Sequence, residues 1–178
     1  EMCIRDSIKR VLNEYGIQQV YHLGAQAIVK TANQSPAETF EVNVMGTVKI
    51  LEACRDRKIE KTLIQSTDKV YGEGLDKTIE SPLAPIEIYG MSKACADLIA
   101  QNFAKVYGMN IIISRPCNAY GYDRNPRIIP NSIRACLNGE KPIIWKWETT
   151  LRQYIFVDDL VEALIFLMQN KDQGIYNV

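Results

Sequence analysis

Residues 62–72 read Thr-Leu-Ile-Gln-Ser-Thr-Asp-Lys-Val-Tyr-Gly, and this stretch decides the fold class. Its first four residues form a short, mostly apolar run that predicts a buried β-strand. Similar runs occur at residues 20–23 and 111–114, and helical patterns at 36–57 and 89–107 lie between the three. Strands that alternate with helices of about ten residues or more predict a parallel, doubly wound α/β sheet.

Helix and strand signals place the remaining elements. A helical pattern over residues 8–15 ends at Gly16. Ser35 and Pro36 predict the cap and the first residue of the helix over 36–57, and Asp158 predicts the cap of a helix over 159–169. A short helix over 131–138 and strands over 143–145, 155–157 and 175–177 complete the pattern.

Composition narrows the class of protein. The 178 residues fit one domain, and 47% apolar and 24% charged residues are ordinary globular values. The 21 basic and 21 acidic side chains cancel. This balance gives no electrostatic reason to expect nucleic acid or an anionic membrane as a partner. No apolar run in the sequence is long enough for a membrane span.

Cysteine and histidine content restricts the chemistry. The five cysteines have no paired spacing, which predicts free thiols in a reducing, cytoplasmic compartment. The single histidine, His22, excludes a site with several histidine ligands, and we expect no metal. Acids and bases are therefore expected among Tyr, Lys, Asp and Glu. The ten glycines form no G-x-G-x-x-G pattern.

Residues 89–93, Tyr-Gly-Met-Ser-Lys, place a phenol and an ammonium one helical turn apart. A nearby Lys cation favours the phenolate and so proton exchange with a substrate hydroxyl. The pair alone is a weak signal, because a solvated Tyr–Lys pair on a helix is the alternative. Its context strengthens it: small or polar residues follow three strands, at 24–26, 66–72 and 115–118, and ligands of open α/β sheets bind at that edge.

These stretches belong to a longer ordered set that runs from about Val20 to the last residue; its other members are 35–36, 40–43, 51–55, 94–97, 127–130, Arg152 and 156–159. On this set the chain resembles the extended short-chain dehydrogenase/reductases, specifically the NAD-dependent epimerase/dehydratase family. Within that family it is most similar to the CDP-glucose 4,6-dehydratase branch. The resemblance implies a Rossmann-like fold, NAD as cofactor and a nucleotide-diphosphate sugar as substrate.

The resemblance also implies a role for each catalytic residue. Tyr89 takes the proton of the sugar 4-hydroxyl while hydride passes from C4 to NAD, and Lys93 holds the nicotinamide ribose and lowers the pKa of Tyr89. Thr67 hydrogen-bonds the 4-oxygen. Asp68 protonates the departing 6-hydroxyl as water leaves across C5–C6, and the hydride returns to C6. The product is a 4-keto-6-deoxy sugar nucleotide.

Lys69 is the informative position within the family. By the resemblance, the dTDP-glucose branch has a glutamate there that acts as the C5 base, whereas the CDP-glucose branch has lysine. An ordinary ammonium cannot remove a proton unless desolvation or a neighbouring cation lowers its pKa. Lys69 is therefore either a tuned base or a cation that stabilises the enolate.

The remaining contacts implied by the resemblance concern binding. Besides Tyr89 and Lys93, the cofactor contacts are Gly24, Ala25, Gln26, Ser66 and Cys117; the sugar-nucleotide contacts are Asn118, Arg127 and Arg152. Asn43 would tie its helix to the neighbouring strand. The alternatives are that Asn43 and Asn118 form turns and that Arg127 is a solvated loop charge. We interpret His22 as a hydrogen-bonded core imidazole rather than a base.

The N-terminal residues and the resemblance together predict how the chain is organised. Residues 1–6 read like a sequencing or cloning scar, and 7–178 as a partial NAD-binding domain with the start of a substrate-binding lobe, truncated at both ends and inactive alone. In the full-length protein, a homodimer is expected through the helices at 36–57 and 89–107. A 4-epimerase, a decarboxylase and a non-catalytic fragment are the alternative functions, and the nucleobase is left open.

Overall fold

The computed structural model describes residues 2–74, 76–123, 125, 127–144 and 151–178, without the side chains of residues 2–5. The helices are α1 (Met2–Glu14), α2 (Val29–Gln34), α3 (Pro36–Phe40), α4 (Gly46–Asp56), α5 (Ile88–Tyr107), α6 (Ile128–Leu137) and α7 (Val157–Asn170). The strands are β1 (Gln19–His22), β2 (Lys61–Gln65), β3 (Ile111–Arg115), β4 (Asn118–Tyr120), β5 (Tyr154–Phe156) and β6 (Gly174–Asn177). A π-helical turn (Glu41–Met45) joins α3 to α4, and a 3₁₀ helix (Asp68–Tyr71) follows β2.

The main sheet has four parallel strands in the order β1-β2-β3-β6. Val20 pairs with Thr62, Thr62 with Ile111, and Ile112 with Gly174, so the strand ends lie at one edge of the sheet. The predicted parallel α/β architecture is confirmed. A second sheet pairs β4 with β5, also in parallel. The sequence signals missed β4, which is only three residues long.

The two faces of the sheet are covered by different helices, as a doubly wound fold requires. Leu63 and Ile112 pack with Leu164 of α7 on one face. Ile64 and Ile113 pack with Ala100 of α5 on the other. Since successive side chains of a strand alternate between faces, continuous apolar runs such as residues 111–113 are what a sheet buried on both sides needs.

The helical stretch from Pro36 to Asp56 is not one uninterrupted α-helix as predicted. Its middle, Glu41–Met45, is a π-helical turn, in which the backbone bonds shift by one residue. The predicted cap residue Ser35 contacts the helix through its carbonyl, which accepts from the backbone N of Thr39 (3.1 Å). The apolar stripe alone did not predict the π turn, because each flanking α-helical segment keeps its own periodicity.

Several element boundaries differ from the prediction. Asp158 is not the cap of α7: Phe156 occupies that position and Asp158 lies in the first turn, where its charge still favours the helix dipole. Helix α6 begins at Ile128 rather than at residue 131. Ile143 and Ile144 are irregular rather than in a strand, and Trp145, the third residue of that predicted strand, lies outside the described residues.

Helix α5 carries the Tyr–Lys pair and ends as predicted. Gly108 adopts a left-handed conformation (φ 63°, ψ 27°) immediately after Tyr107. Glycine reaches this conformation without steric cost and so ends the helix. Within the described residues, no helix is long and apolar enough to cross a membrane.

Candidate active site

The end of β2 supplies a run of polar groups. Ser66 and Thr67 are buried, and Thr67 is the residue that begins the 3₁₀ helix. Its hydroxyl donates to Asp68 Oδ1 (3.0 Å) and accepts weakly from the backbone N of Lys69 (3.4 Å). The backbone N of Asp68 donates to the carbonyl of Pro116 (2.9 Å) after β3. These bonds hold Thr67 and Asp68 together at the edge where the strands end.

Helix α5 brings Tyr89 and Lys93 to the same edge. The hydroxyl of Tyr89 is hydrogen-bonded to Thr67, an interaction that favours the phenolate, but burial outweighs it and raises the pKa of Tyr89. Lys93 is 4% exposed, and burial lowers its pKa to about 8. The structure therefore brings Thr67, Asp68 and Tyr89 together, and it places the buried Lys93 one helical turn beyond Tyr89 on α5.

The expected effect of Lys93 on Tyr89 is corrected by the structure. Lys93 was predicted to lower the pKa of Tyr89, yet that pKa is raised, chiefly by burial and in smaller part by Asp68 and Glu87. The cation that lowers it is Arg127. The reason is that desolvation of the phenol outweighs the favourable charges around it.

The fifth predicted catalytic residue, Lys69, lies in the 3₁₀ helix with its side chain partly exposed. Its carbonyl oxygen faces Gly90 on α5: a Cβ on Gly90 would lie 3.0 Å from that oxygen. The absence of a side chain on Gly90 thus lets α5 approach the 3₁₀ helix closely. Tyr89 and Thr67 are sequence neighbours of these two segments, so we expect the approach to influence their distance.

The loop after β1 is tied to α5 through Asn43. Asn43 Oδ1 accepts from the backbone N of Gln26 (2.7 Å), and Asn43 Nδ2 donates to the carbonyl of Gln26 (3.0 Å) and to Ser92 Oγ (2.9 Å). Ser92 Oγ in turn donates to the carbonyl of Tyr89 (2.8 Å). Asn43 therefore does connect its helix to the neighbouring strand end, as predicted, and it also reaches the turn that carries Tyr89.

Gly24, Ala25 and Gln26 lie in that loop, beside the end of β1. A Cβ on Gly24 would meet only the His22 ring, no closer than 3.8 Å, so the loop surface at Gly24 is open. His22 lies between the loop and α4, 3.2 Å from Thr47 Oγ1. Burial, and to a smaller extent Lys93, lower the pKa of His22 to about 4. His22 is thus a neutral, hydrogen-bonded imidazole, which agrees with its predicted structural role.

Sequence reasoning gave no role to Asp97 and Arg115, which form a buried ion pair behind the cluster. Arg115 Nε donates to Asp97 Oδ2 (2.8 Å) and Arg115 Nη2 to Asp97 Oδ1 (2.9 Å). Ser66 Oγ donates to Asp97 Oδ2 (2.7 Å). On the other side, Arg115 Nη1 donates to the Tyr71 hydroxyl (2.8 Å). Two sequence signals were available for this pair. A charged residue follows the apolar run at 111–114, and an aspartate lies on the buried face of α5.

A cleft of about 930 Å³ opens beside the cluster. Asp68, Cys117 and Arg152 line it together, so the structure brings one predicted catalytic, one predicted cofactor and one predicted substrate residue to a common surface. Burial, and next the charge of Asp68, raise the pKa of the Cys117 thiol. A cleft of this size is in the range of small-molecule sites.

The contacts of the predicted substrate residues Asn118 and Arg127 are mainly with other parts of the chain. Asn118 lies on β4, and both its backbone N (3.2 Å) and its side-chain nitrogen (3.0 Å) reach the carbonyl of Gln153 near β5, a structural contact. Arg127 is exposed at the start of α6, with Nε 3.2 Å from Asp123 Oδ2. It is nevertheless close enough to Tyr89 to influence its pKa.

The residues at this edge fit a dinucleotide with a sugar substrate. The open loop at Gly24, the buried Lys93 ammonium and the Ser66 hydroxyl lie on the side of β1 and β2, whereas the cleft with Arg152 lies on the side of β3 and β6. Binding at the carboxyl ends of parallel strands is the general rule for open α/β sheets. The fold and the arrangement of residues at this edge define a Rossmann-like domain of the short-chain dehydrogenase/reductase type.

The chain belongs to the NAD dependent epimerase/dehydratase family, whose model matches residues 1–178. It is 31% identical over 182 residues to the dTDP-D-glucose 4,6-dehydratase of Bos taurus, covering 100% of this chain and 51% of that protein. The chain thus spans about half the length of the curated relatives it matches.

Solved structures show the same relationship. The dTDP-glucose 4,6-dehydratase of Streptomyces venezuelae, with NAD bound, superposes with a TM-score of 0.88 at 28% identity, over 98% of this chain and 55% of that one. The UDP-glucose 4-epimerase of Thermus thermophilus, also with NAD, gives 0.87 at 30% identity, over 98% and 60%. The predicted Rossmann-like fold is confirmed, and so is NAD as the cofactor found in the structural neighbours.

Proposed function

We propose that this chain carries the catalytic residues of an NAD-dependent nucleotide-sugar 4,6-dehydratase. The observation that carries the proposal is the placement of Asp68, which accepts a hydrogen bond from Thr67 and also lines the cleft. Thr67 and Tyr89 are sufficient to hydrogen-bond a sugar hydroxyl and take its proton at the carbon that is oxidised. A second acid beside them is useful when water must also leave, because the departing hydroxyl needs a proton.

In the proposed reaction, the sugar 4-hydroxyl lies against Tyr89 and Thr67. Bound NAD would supply the hydride acceptor. Tyr89 exchanges the hydroxyl proton, Thr67 holds the 4-oxygen, and the Lys93 ammonium provides positive charge beside them. As water leaves across C5–C6, Asp68 donates a proton to the departing 6-hydroxyl and the C5 proton passes to a base, for which Lys69 is the candidate. The hydride would then return to C6. Arg152 in the cleft suits the diphosphate, since a guanidinium matches phosphate oxygens with paired donors.

A 4-epimerase is the second candidate, because epimerases are among the structural neighbours. That reaction needs proton exchange at the 4-oxygen but no elimination. Asp68 followed by Lys69 favours the dehydratase. A 4-epimerase has no leaving hydroxyl, so it needs neither an acid nor a cation at these positions.

For the nucleobase, we propose cytosine, and hence CDP-glucose as substrate. This rests on Lys69, which stands where the resemblance places glutamate in the dTDP-glucose branch. The Bos taurus relative and the Streptomyces venezuelae structure reported above are dTDP-glucose enzymes. The CDP-glucose and dTDP-glucose hypotheses differ in the nucleotide of the substrate, and a direct comparison of the two substrates distinguishes them.

The test is to express the full-length protein that contains this chain and incubate it with NAD and CDP-, dTDP- or UDP-glucose. Formation of a 4-keto sugar, detected by its ultraviolet absorbance in base, supports a dehydratase, and the highest kcat/KM identifies the nucleotide. A preference for dTDP-glucose would overturn the cytosine assignment alone. Production of the 4-epimer without a ketone, or no turnover of any of the three, would overturn the dehydratase.

We further propose that the full-length protein is a homodimer through the helical stretches at 36–57 and 89–107. Both stretches expose large apolar side chains. Val42 and Met45 are 41% and 42% exposed, and Met91 and Leu98 on α5 are 42% and 54% exposed. Pairing these surfaces with a second copy would remove them from water, which is the usual driving force of such contacts.

A further inference from the structure

The charges buried around Lys93 are not explained by the proposed reaction. Burial lowers the pKa of Lys93 to about 8, and the carboxylate of Asp97, one helical turn further along α5, opposes this shift. Arg115 is a second buried cation, 2% exposed, and it is paired with the same carboxylate. Two buried cations therefore lie near one carboxylate, whose own side chain is completely buried: Arg115 is paired with Asp97, and Lys93 precedes it by one helical turn.

The same carboxylate also joins the elements of the site. Asp97 Oδ2 accepts from Ser66 at the end of β2 and from Arg115 at the end of β3. Asp97 Oδ1 accepts from Arg115 and from Gln101 Nε2 (2.7 Å). Removing the charge would leave a buried guanidinium without its counterion, which is costly in a low-dielectric interior.

The bonds continue from Arg115 toward the cleft. Arg115 Nη1 donates to the Tyr71 hydroxyl, and that hydroxyl donates to Asn177 Oδ1 on β6 (2.7 Å). Tyr71, Arg115 and Asn177 all line the cleft. The network thus extends from the helix that carries Lys93 to the wall of the proposed substrate site.

We propose that Asp97 is a positioning residue of this site: its buried carboxylate fixes the ends of β2 and β3 against α5 and keeps the Lys93 side chain a cation. This inference rests on the proposed function for its catalytic consequence. Its physical content, the coupling of Asp97 to Lys93, is measurable without turnover.

Other titratable groups near Lys93 do not replace Asp97. His22 on β1 interacts with Lys93 but is neutral at pH 7, because its pKa is about 4. The other charged or titratable residues on elements packed against α5 are Arg115, Asp68, Lys69 and Tyr71 on the sheet side and Lys30, Glu38, Glu41, Lys49, Glu52, Cys54, Arg55 and Asp56 on the helix side. Glu41 is paired with Lys49 (2.7 Å), and Lys30 and Glu38 are exposed.

The experiment measures the protonation of Lys93 in the full-length protein by competitive acetylation with acetic anhydride, followed by mass spectrometry, across pH. The wild-type midpoint is expected near 8. Asp97→Asn, which keeps the shape but removes the charge, should lower it by about one unit or more. The matched control is Gln101→Met, which removes a neutral hydrogen bond from the same carboxylate and should leave the midpoint unchanged.

Arg115→Gln is the second variant, and it keeps the proposal refutable if Asp97→Asn fails to fold, because a lowered Lys93 midpoint would contradict it. Removing the competing cation should raise the Lys93 midpoint, opposite to Asp97→Asn, whereas general loosening would shift both variants alike. An unchanged midpoint in Asp97→Asn, a lower one in Arg115→Gln, or a wild-type midpoint near the ordinary value of ~10 overturns the proposal.

The catalytic consequence is tested by the pH dependence of kcat. If Lys93 acts as a cation, activity declines as pH rises through its pKa, and this alkaline limb should move to lower pH in Asp97→Asn. Asp97→Glu, which restores the charge, should return the limb toward the wild-type position. Absence of turnover by the wild type would refute the proposed function, whereas the acetylation result would still decide the role of Asp97.

Discussion

The carbonyl oxygen of Lys69 and the Cα of Gly90 approach so closely that a Cβ on Gly90 would lie 3.0 Å from that oxygen. The same Cβ would lie 3.2 Å from the side chain of Pro85. Gly90 therefore has contacts on two sides, from the 3₁₀ helix and from the loop before α5. Since Tyr89 precedes Gly90 and Thr67 precedes the 3₁₀ helix, we expect this contact to influence the spacing of the two hydroxyls.

Gly90→Ala should lower kcat by about tenfold or more, because a displacement of a few tenths of an ångström separates Tyr89 from Thr67. The control is Gly46→Ala in α4, where an added Cβ would meet no atom within 4 Å. That change should leave kcat unaltered and raise thermal stability slightly, as alanine favours a helix. Equal kcat in the two variants would show that the approach of Gly90 to Lys69 has no catalytic importance.

Asp68→Asn should abolish dehydration while leaving the fold intact. The amide keeps the shape and the hydrogen bond to Thr67 but cannot supply a proton to a leaving hydroxyl, so kcat should fall by about a hundredfold or more with little change in KM. Asp76→Asn is a matched control, because Asp76 lines the same cleft and is exposed. Unchanged turnover in Asp68→Asn would contradict the assignment of Asp68 as the acid.

The local sequence predicted the parts of the fold that depend on the type of the residue at that position alone. Gly108 ends α5, and the apolar run at 111–114 forms a strand buried on both faces. The π-helical turn at Glu41–Met45 was not predicted, and within it Asn43 bonds Gln26 and Ser92, which are distant in sequence and absent from the local pattern. The Asp97–Arg115 pair is likewise a tertiary contact, which cannot be inferred from the local sequence of either residue.

The site shows the same limit in its electrostatics. The Tyr89–Lys93 spacing predicted that both side chains would lie at the strand ends, and they do. It also predicted a lowered pKa for Tyr89, and burial reverses that direction. Spacing specifies which groups are neighbours, whereas the pKa depends on how much water the surrounding fold excludes.

Leu98→Glu should convert the proposed homodimer into a monomer, as measured by light scattering after size-exclusion chromatography. Leu98 is 54% exposed on α5, and a carboxylate there would be buried against apolar side chains of the second copy. Leu137→Glu is the control, since Leu137 on α6 is 81% exposed and lies outside the proposed interface. A monomeric wild type, or a dimeric Leu98→Glu variant, would refute this interface.

His22 should make the folded state sensitive to mild acid. Its pKa is lowered from 6.5 to about 4 in the folded protein, so the unfolded chain binds a proton that the folded chain does not. Stability is therefore full above the unfolded value and decreases as pH falls below about 6.5 toward 4. Between pH 7 and pH 5 the loss from this group should be about 2 kcal/mol.

Denaturant unfolding at both pH values, compared between wild type and His22→Gln, isolates this contribution. Glutamine can still hydrogen-bond Thr47, the present partner of His22, but it does not titrate. The variant should therefore lose about 2 kcal/mol less than the wild type on going from pH 7 to pH 5. An equal loss in both proteins would mean that His22 is solvated enough to titrate normally, and the buried contact between β1 and α4 would then be wrong.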